Sequence, residues 1–274
     1  MTPSNPAVPP TATVEPTWAP RYAEQVGAIA QAEILKIRRD PVELITRAAQ
    51  PILWLLVFGQ VLGRVKGIST GDESYLAFFA PGVLAQSVLF SAIFYGIAVI
   101  WERDLGIIHK LLVSPAPRST LVLGKAIASG LRGLVQAVII YAVVLLAGIS
   151  VSLNPLNVAG VFAAVLLGSA IFSTFSLVVA CWVKTREKFM GIGQLLTMPL
   201  FFASNAIYPL TLMPGWLQAV ARLNPLTYLV DACRSLMLPG LPGSQGLPLD
   251  FAVMILVLIA MVAVATKMYP NLIR

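Results

Sequence analysis

Residues 75–101 read YLAFFAPGVLAQSVLFSAIFYGIAVIW, a run without a single charged side chain. As an α-helix a run of this length would extend about 40 Å at 1.5 Å per residue, more than the ~30 Å hydrocarbon core of a bilayer. In lipid every backbone N–H and C=O must be satisfied within the segment, which a helix does. Working outward, five more apolar segments follow the same rule: Arg47–Gly63, Leu121–Ile149, Asn157–Val183, Phe189–Leu212 and Leu249–Lys267. The first is short, and Arg47 reaches to the interface to make up its length. The chain therefore reads as an all-α polytopic membrane protein with six transmembrane helices.

Composition agrees. Of the 274 residues 58% are hydrophobic and only 11% charged, whereas a soluble domain carries roughly 25% charged residues. The net charge of +7 comes from basic residues placed between apolar segments, a pattern that sets membrane orientation and not nucleic-acid binding. Cys181 and Cys233 are far apart, fall near opposite membrane faces in this topology, and lack metal-ligand spacing.

Residues 1–20 hold six prolines among Ser, Thr and Ala, too little apolar surface to offset the entropy of ordering, so this tail is expected to be disordered. It has no basic stretch followed by an apolar core and does not read as a signal peptide. Residues 21–40 form the next unit. From Tyr22 to Arg39 a helix would gather Tyr22, Val26, Ile29, Ala30, Ile34 and Ile37 on one side and Lys36, Arg38 and Arg39 mostly elsewhere. An amphipathic interface helix fits this pattern; Glu33 on the apolar side leaves open an ordinary solvated helix. Pro41 ends or bends it. Residues 41–274 are then one six-span domain.

Orientation follows from Lys and Arg. With a cytoplasmic N-terminus that side collects fourteen of them and the other side four, Arg64, Lys66, Arg222 and Arg234. This bias places both termini in the cytoplasm of a multi-pass protein of the cell (inner or plasma) membrane.

The stretch from Asn205 to Leu247 does not fit a span. It is broken by prolines, and its longest candidate helix, Leu226–Leu238, carries Asp231 and Arg234, too short and too polar to cross. Asn224 as N-cap and Pro225 at the first helical position start that helix. The region is expected to form short outer-face helices before the last span, dipping partway into the membrane where protein can bury irregular backbone.

No span interior holds a carboxylate. An ion-coupled carrier normally needs an ionisable group at mid-membrane, so this argues against one. His109 is the only histidine and falls in a cytoplasmic loop, so no catalytic residue and no metal site is expected. A phosphate-binding G-x-x-x-x-G-K-[ST] loop is missing as well. Gly124-Lys125 is followed by alanine and lacks the upstream glycine. If ATP provides the energy, another chain must hydrolyse it.

Between spans two and three lies WERDLGIIHKLLVSPAPRSTLVLGK (101–125). It opens on Glu102, Arg103 and Asp104, and continues as a short amphipathic helix with Leu105, Ile108 and Leu112 on one stripe until Pro115 and Pro117. His109 and Lys110 lie within it. A contact with a partner and a simple interfacial helix both fit this spacing. Two readings also stand for Arg132, inside span three: contact with an anionic headgroup or substrate, or snorkelling to the interface. Gln136 is polar within the same span, suited to a substrate contact or an interhelical hydrogen bond.

These pieces in order, namely the basic N-terminal helix, six spans, LLVSPAPRSTLVLGK (111–125) and LNPLTYLVDACRSLMLPG (223–240), resemble the ABC-2-type transporter permeases, in particular the daunorubicin-resistance and nodulation-factor exporter branch. The likeness covers about residues 20–270 and is most specific at Asn224, Pro225, Tyr228 and Arg234. It implies a permease that exports a hydrophobic or amphipathic drug, lipid or glycan-linked carrier, with ATP and Mg held by a separate ABC ATPase subunit and no cofactor in this chain. It also implies that Glu102–Ser114 is the helix that couples to the ATPase, that Tyr22–Arg39 is the interface helix, that the helices from Pro214 to Leu238 cap the outer side, and that two permeases, as copies or paralogues, pair in the bilayer. A nucleotide-independent channel or lipid scramblase, or an ion-coupled drug carrier, would be the competing classes.

Overall fold

A computed structural model describes residues 18–39, 46, 49–63, 74–108, 110, 117–183, 185–238, 240 and 244–273. Among them there are helices and turns and no strand. In chain order the helices are α1 (Trp18–Arg39), α2 (Ala49–Val61), α3 (Tyr75–Asp104), α4 (Arg118–Leu146), α5 (Pro155–Trp182), α6 (Arg186–Phe202), α7 (Gly215–Leu223), α8 (Pro225–Met237) and α9 (Leu247–Met268). Most of the expected tail, residues 1–17, lies outside the described residues, and so do Pro41, Arg47, Arg64 and Lys66.

Four helices, α3, α4, α5 and α9, are long and apolar enough to cross a membrane. The two other expected spans are shorter. α2 has a π-helical turn over Trp54–Phe58, and α6 stops at Phe202, ten residues before the boundary read from sequence. The reason for the early stop is local. Asn224 donates its side-chain amide to the carbonyls of Leu200 (2.6 Å) and Ala203 (3.4 Å), while the Ser204 hydroxyl takes that of Phe201. The last carbonyls of α6 thus find partners that end the helix.

α5 is the hub, packed against α3, α4, α8 and α9. Its core partners include Val83, Leu84 and Val88 of α3, and Leu229 and Val230 of α8, all fully buried. α1 begins three residues earlier than read from sequence and lies against α4. Of its expected apolar stripe, Ala30 is buried and Tyr22, Val26 and Ile29 are half-buried, with Ile29 seated against Gly124. Ile34 is exposed, and the side chains of Lys36, Ile37 and Arg38 lie outside the described residues.

The expected short helix 226–238 is α8, and it runs deep. Leu236 packs on Gly160 and Leu229 on Gly168, and Gly168 is at the middle of the 28-residue α5. α8 therefore runs antiparallel to α5 with its N-terminus pointing into the bundle. α7 precedes it and is joined to it through Asn224 alone.

Close backbone approach fixes the turn after α6 against α3. A Cβ on Gly82 of α3 would lie 2.5 Å from the Ala206 carbonyl oxygen and 2.9 Å from its Cα. Backbone cannot rotate away, so Gly82→Ala is expected to destabilise the protein by about 1–3 kcal/mol. Gly191→Ala, with nothing within 4 Å of the added atom, is expected to stabilise by about 0.5–1 kcal/mol through helix propensity. Thermal unfolding of the detergent-solubilised protein measures both, and equal midpoints for the two variants would refute this packing.

Candidate functional site

Most of the charged residues among those described lie toward the two ends of the bundle. At one end the C-termini of α3, α5 and α9 meet the N-termini of α4 and α6, and cations collect there: Arg103, Arg118, Lys125, Arg186, Lys188 and Lys267. We call this the basic end.

At the basic end α3 runs through Glu102, Arg103 and Asp104 as its last turn. Gly106, at φ +71°, then breaks it, and its N–H bonds back to the Arg103 carbonyl at 2.9 Å. Such a left-handed residue after a helix is a stop signal that glycine adopts at little cost. The charge cluster is therefore the end of a long span and not the start of a separate helix.

Its three members have different surroundings. Glu102 is 7% exposed and paired with Lys125, 4% exposed, at 2.5 Å. This buried pair ties α3 to α4. Tyr95 lies beneath it, with the Lys125 ammonium 5.7 Å and the Arg132 guanidinium 4.8 Å from its ring centre, close enough for cation–π attraction. Asp104 instead sits near the surface. It accepts from Arg103 and from Arg186 of α6, each at 3.0 Å. Arg103 also reaches the Val183 carbonyl at 3.4 Å, and Arg186 stacks 4.0 Å from the centre of the Trp101 ring. Asp104 is thus a clamp between the ends of α3 and α6.

Beyond the clamp, the stripe read as Leu105, Ile108 and Leu112 divides. Ile108 is fully buried, whereas Leu105 is 62% and Ile107 39% exposed. Lys110 is exposed, and His109 and Leu112 lie outside the described residues. Gln136 is fully buried and accepts a hydrogen bond from Ser87 at 2.9 Å, so it joins α4 to α3 inside the bundle. Gly124-Lys125 sits within α4 with Gly124 against Ile29, a packed helix and not a phosphate loop.

The expected motif residues are brought together along α8, from its tip inside the bundle toward the opposite end. The Asn224 side chain caps α8 through the Leu226 N–H at 3.0 Å, Pro225 occupies the first helical turn, and the Tyr228 hydroxyl donates to the Arg222 carbonyl at 2.7 Å. Arg234, 5% exposed, donates to the carbonyls of Asn205 (2.9 Å) and Phe78 (3.5 Å), pairs with Asp231 at 3.4 Å, and lies 4.0 Å from the Phe78 ring centre. Asp231 also accepts from the Asn205 amide, the Ser244 hydroxyl and the Ser244 N–H (3.1 Å). One buried ion pair thus links α8, α3, the turn after α6 and the segment before α9.

Sequence reasoning missed these long-range partners. Arg186 lies 82 residues from Asp104, and Lys125 lies 23 from Glu102, with no periodic signal to connect them. The Asp231–Arg234 spacing of three could have been read as a same-face pair. Asp250, in the first turn of α9, is fully buried, and its carboxylate has no hydrogen-bond partner among the described residues.

Residues 24–238 match the ABC-2 type transporter family. Among curated proteins the chain is 29% identical over 217 residues to the "Putative transport permease ycf38" of Cyanophora paradoxa, covering 78% of this chain and 74% of that protein. It is 26% identical to the daunorubicin resistance ABC transporter permease protein DrrB1 of Streptomyces coeruleorubidus over 74% of this chain and 71% of that one. With the inner membrane transport permease YadH of Escherichia coli K12 it shares 28% identity over 76% and 79% of the two chains.

Proposed function

The chain belongs to the ABC-2 type transporter family, and from that premise we propose that it is the membrane-spanning permease of an ATP-driven exporter whose ATP is hydrolysed by a separate ABC ATPase subunit. The family match over 24–238 is the observation that carries this reading. On it, α2 and α6 complete a set of six spans, the basic end faces the cytoplasm in keeping with the positive-inside rule, and the α7–α8 segment enters from the outer side. The ATPase docks on the exposed surface around Leu105, Ile107 and Lys110, braced by the Asp104 clamp. A second permease, copy or paralogue, covers exposed apolar positions such as Leu53 and Val57 of α2 and Leu195 of α6. ATP and Mg remain on the partner subunit. The cargo is hydrophobic or amphipathic, and Arg132 at Tyr95 is placed to meet an anionic head on the cytoplasmic side.

ATP can drive such a cycle only by binding the two permease states unequally. The Asp104–Arg186 bridge supplies a mechanical route, since a push on the end of α3 reaches α6 directly. Transport into vesicles holding the permease and an ABC ATPase that co-purifies with it tests the proposal. Export is expected to require hydrolysable ATP and to survive an ionophore that collapses the proton gradient. One observation favours an ion-coupled carrier instead, the buried Asp250, and ionophore-sensitive transport without ATP would decide for it.

A further inference from the structure

α7 has two opposed faces. Trp216, Val220 and Leu223 are 70%, 46% and 86% exposed and follow helical spacing along one side. Gln218 and Arg222 occupy the opposite side, where they line a cavity of about 590 Å³ with Leu210, Thr211, Ser244 and Gln245. That volume suits a small-molecule site. Among the described residues its lining offers one cation, several neutral hydrogen-bonding groups and no carboxylate. The Gln245 amide nitrogen is buried with no hydrogen-bond partner among the described residues, a donor whose desolvation is costly unless something accepts from it. The carboxylate nearest in the network, Asp231, is already engaged by Arg234, Asn205 and Ser244.

The residue after Arg222 belongs to a second, apolar space. Leu223 bounds a crevice of about 260 Å³ with Phe172 and Phe175 of α5, Leu200 of α6, and Val257 and Met261 of α9. Consecutive residues of one helix therefore border a polar cavity and an apolar crevice.

We propose that α7, with the segment before α9, holds a phosphate-bearing amphiphile, its anionic headgroup on Arg222, Gln218 and Gln245 and its acyl chain along Leu223 and the crevice. The ligand is either a resident phospholipid or the transported molecule, for both present the same chemistry. The site rests on this geometry alone and stands whatever powers transport.

The test uses the full chain in nanodiscs of phosphatidylcholine and phosphatidylglycerol with matched acyl chains, and lipid retained on the protein after extraction is counted by native mass spectrometry. Phosphatidylglycerol is expected to be enriched over phosphatidylcholine, and Arg222→Gln to lower its retention about tenfold, the size of one charge-assisted hydrogen bond. Gln245→Leu is expected to lower it by a smaller factor. Arg118→Gln, an exposed cation at the basic end, is expected to leave it unchanged. Glycerol phosphate without acyl chains is expected to compete weakly. Equal retention of the two lipids, or full retention in Arg222→Gln with an unchanged unfolding midpoint, overturns the site. Adding the ATPase and ATP then separates the sources. Bound phosphatidylglycerol lost on turnover is cargo, occupancy indifferent to ATP is a resident lipid, and both keep the assignment.

Discussion

Asp231→Ala is expected to destabilise the protein by about 3–5 kcal/mol, the cost of leaving a buried cation without its counter-ion. The magnitude follows from what the carboxylate holds. It accepts from Arg234, from the Asn205 amide and from both donors of Ser244, and its removal frees four donors in a region where Asp231 and Arg234 are 1% and 5% exposed. Arg234 would keep the Asn205 and Phe78 carbonyls and the Phe78 ring, which pulls the loss toward the lower end of the range. Removing the charge together with its partner separates pairing from packing. Asp231→Ala with Arg234→Met is expected to be less destabilised than Asp231→Ala alone, because no uncompensated ion remains. Unfolding midpoints of the single and double variants in detergent measure this. A double variant that loses the sum of the two single losses would mean that the ion pair is not coupled.

The same residues mark the limit of what was legible in the sequence. α3, α4, α5 and α9 could be read directly, because long apolar runs favour a helix in lipid. The start of α8 was legible too. Asn224 and Pro225 predict a helix from that point, and the helix runs over Pro225–Met237. What the sequence did not carry was how the two charges of α8 are held. Outer-face helices dipping partway into the membrane are the expectation, and contacts with Gly160 and Gly168 draw α8, with Asp231 and Arg234, along α5 to its midpoint. The pair is tolerated there because backbone carbonyls 29 and 156 residues away complete its hydrogen bonds. This also changes the argument about carboxylates. Asp231 is within the bundle, where its ion pair and three further hydrogen bonds hold it in place.

The charge cluster at the end of α3 calls for the sharpest separation, since its residues adjoin in sequence but serve different ends. Glu102 faces inward to Lys125, so Glu102→Ala is expected to lower stability and ATPase stimulation together, because the buried Lys125 ammonium loses its carboxylate. The coupling surface proposed above lies beyond it. Leu105→Asp combined with Ile107→Asp alters two exposed side chains, and surface changes of this kind usually shift stability by no more than about 0.5 kcal/mol. If these residues seat the permease on its ATPase, two charges introduced into an apolar contact are expected to reduce permease-stimulated ATP hydrolysis about tenfold or more, the effect of losing a single interface hot spot. Basal hydrolysis by the ATPase alone should not change. Hydrolysis rates of the reconstituted pair, set beside the permease's unfolding midpoint, measure both effects. A double variant with an unchanged midpoint and wild-type stimulation would remove Leu105 and Ile107 from the interface and leave the Asp104–Arg186 clamp without the push it is proposed to relay.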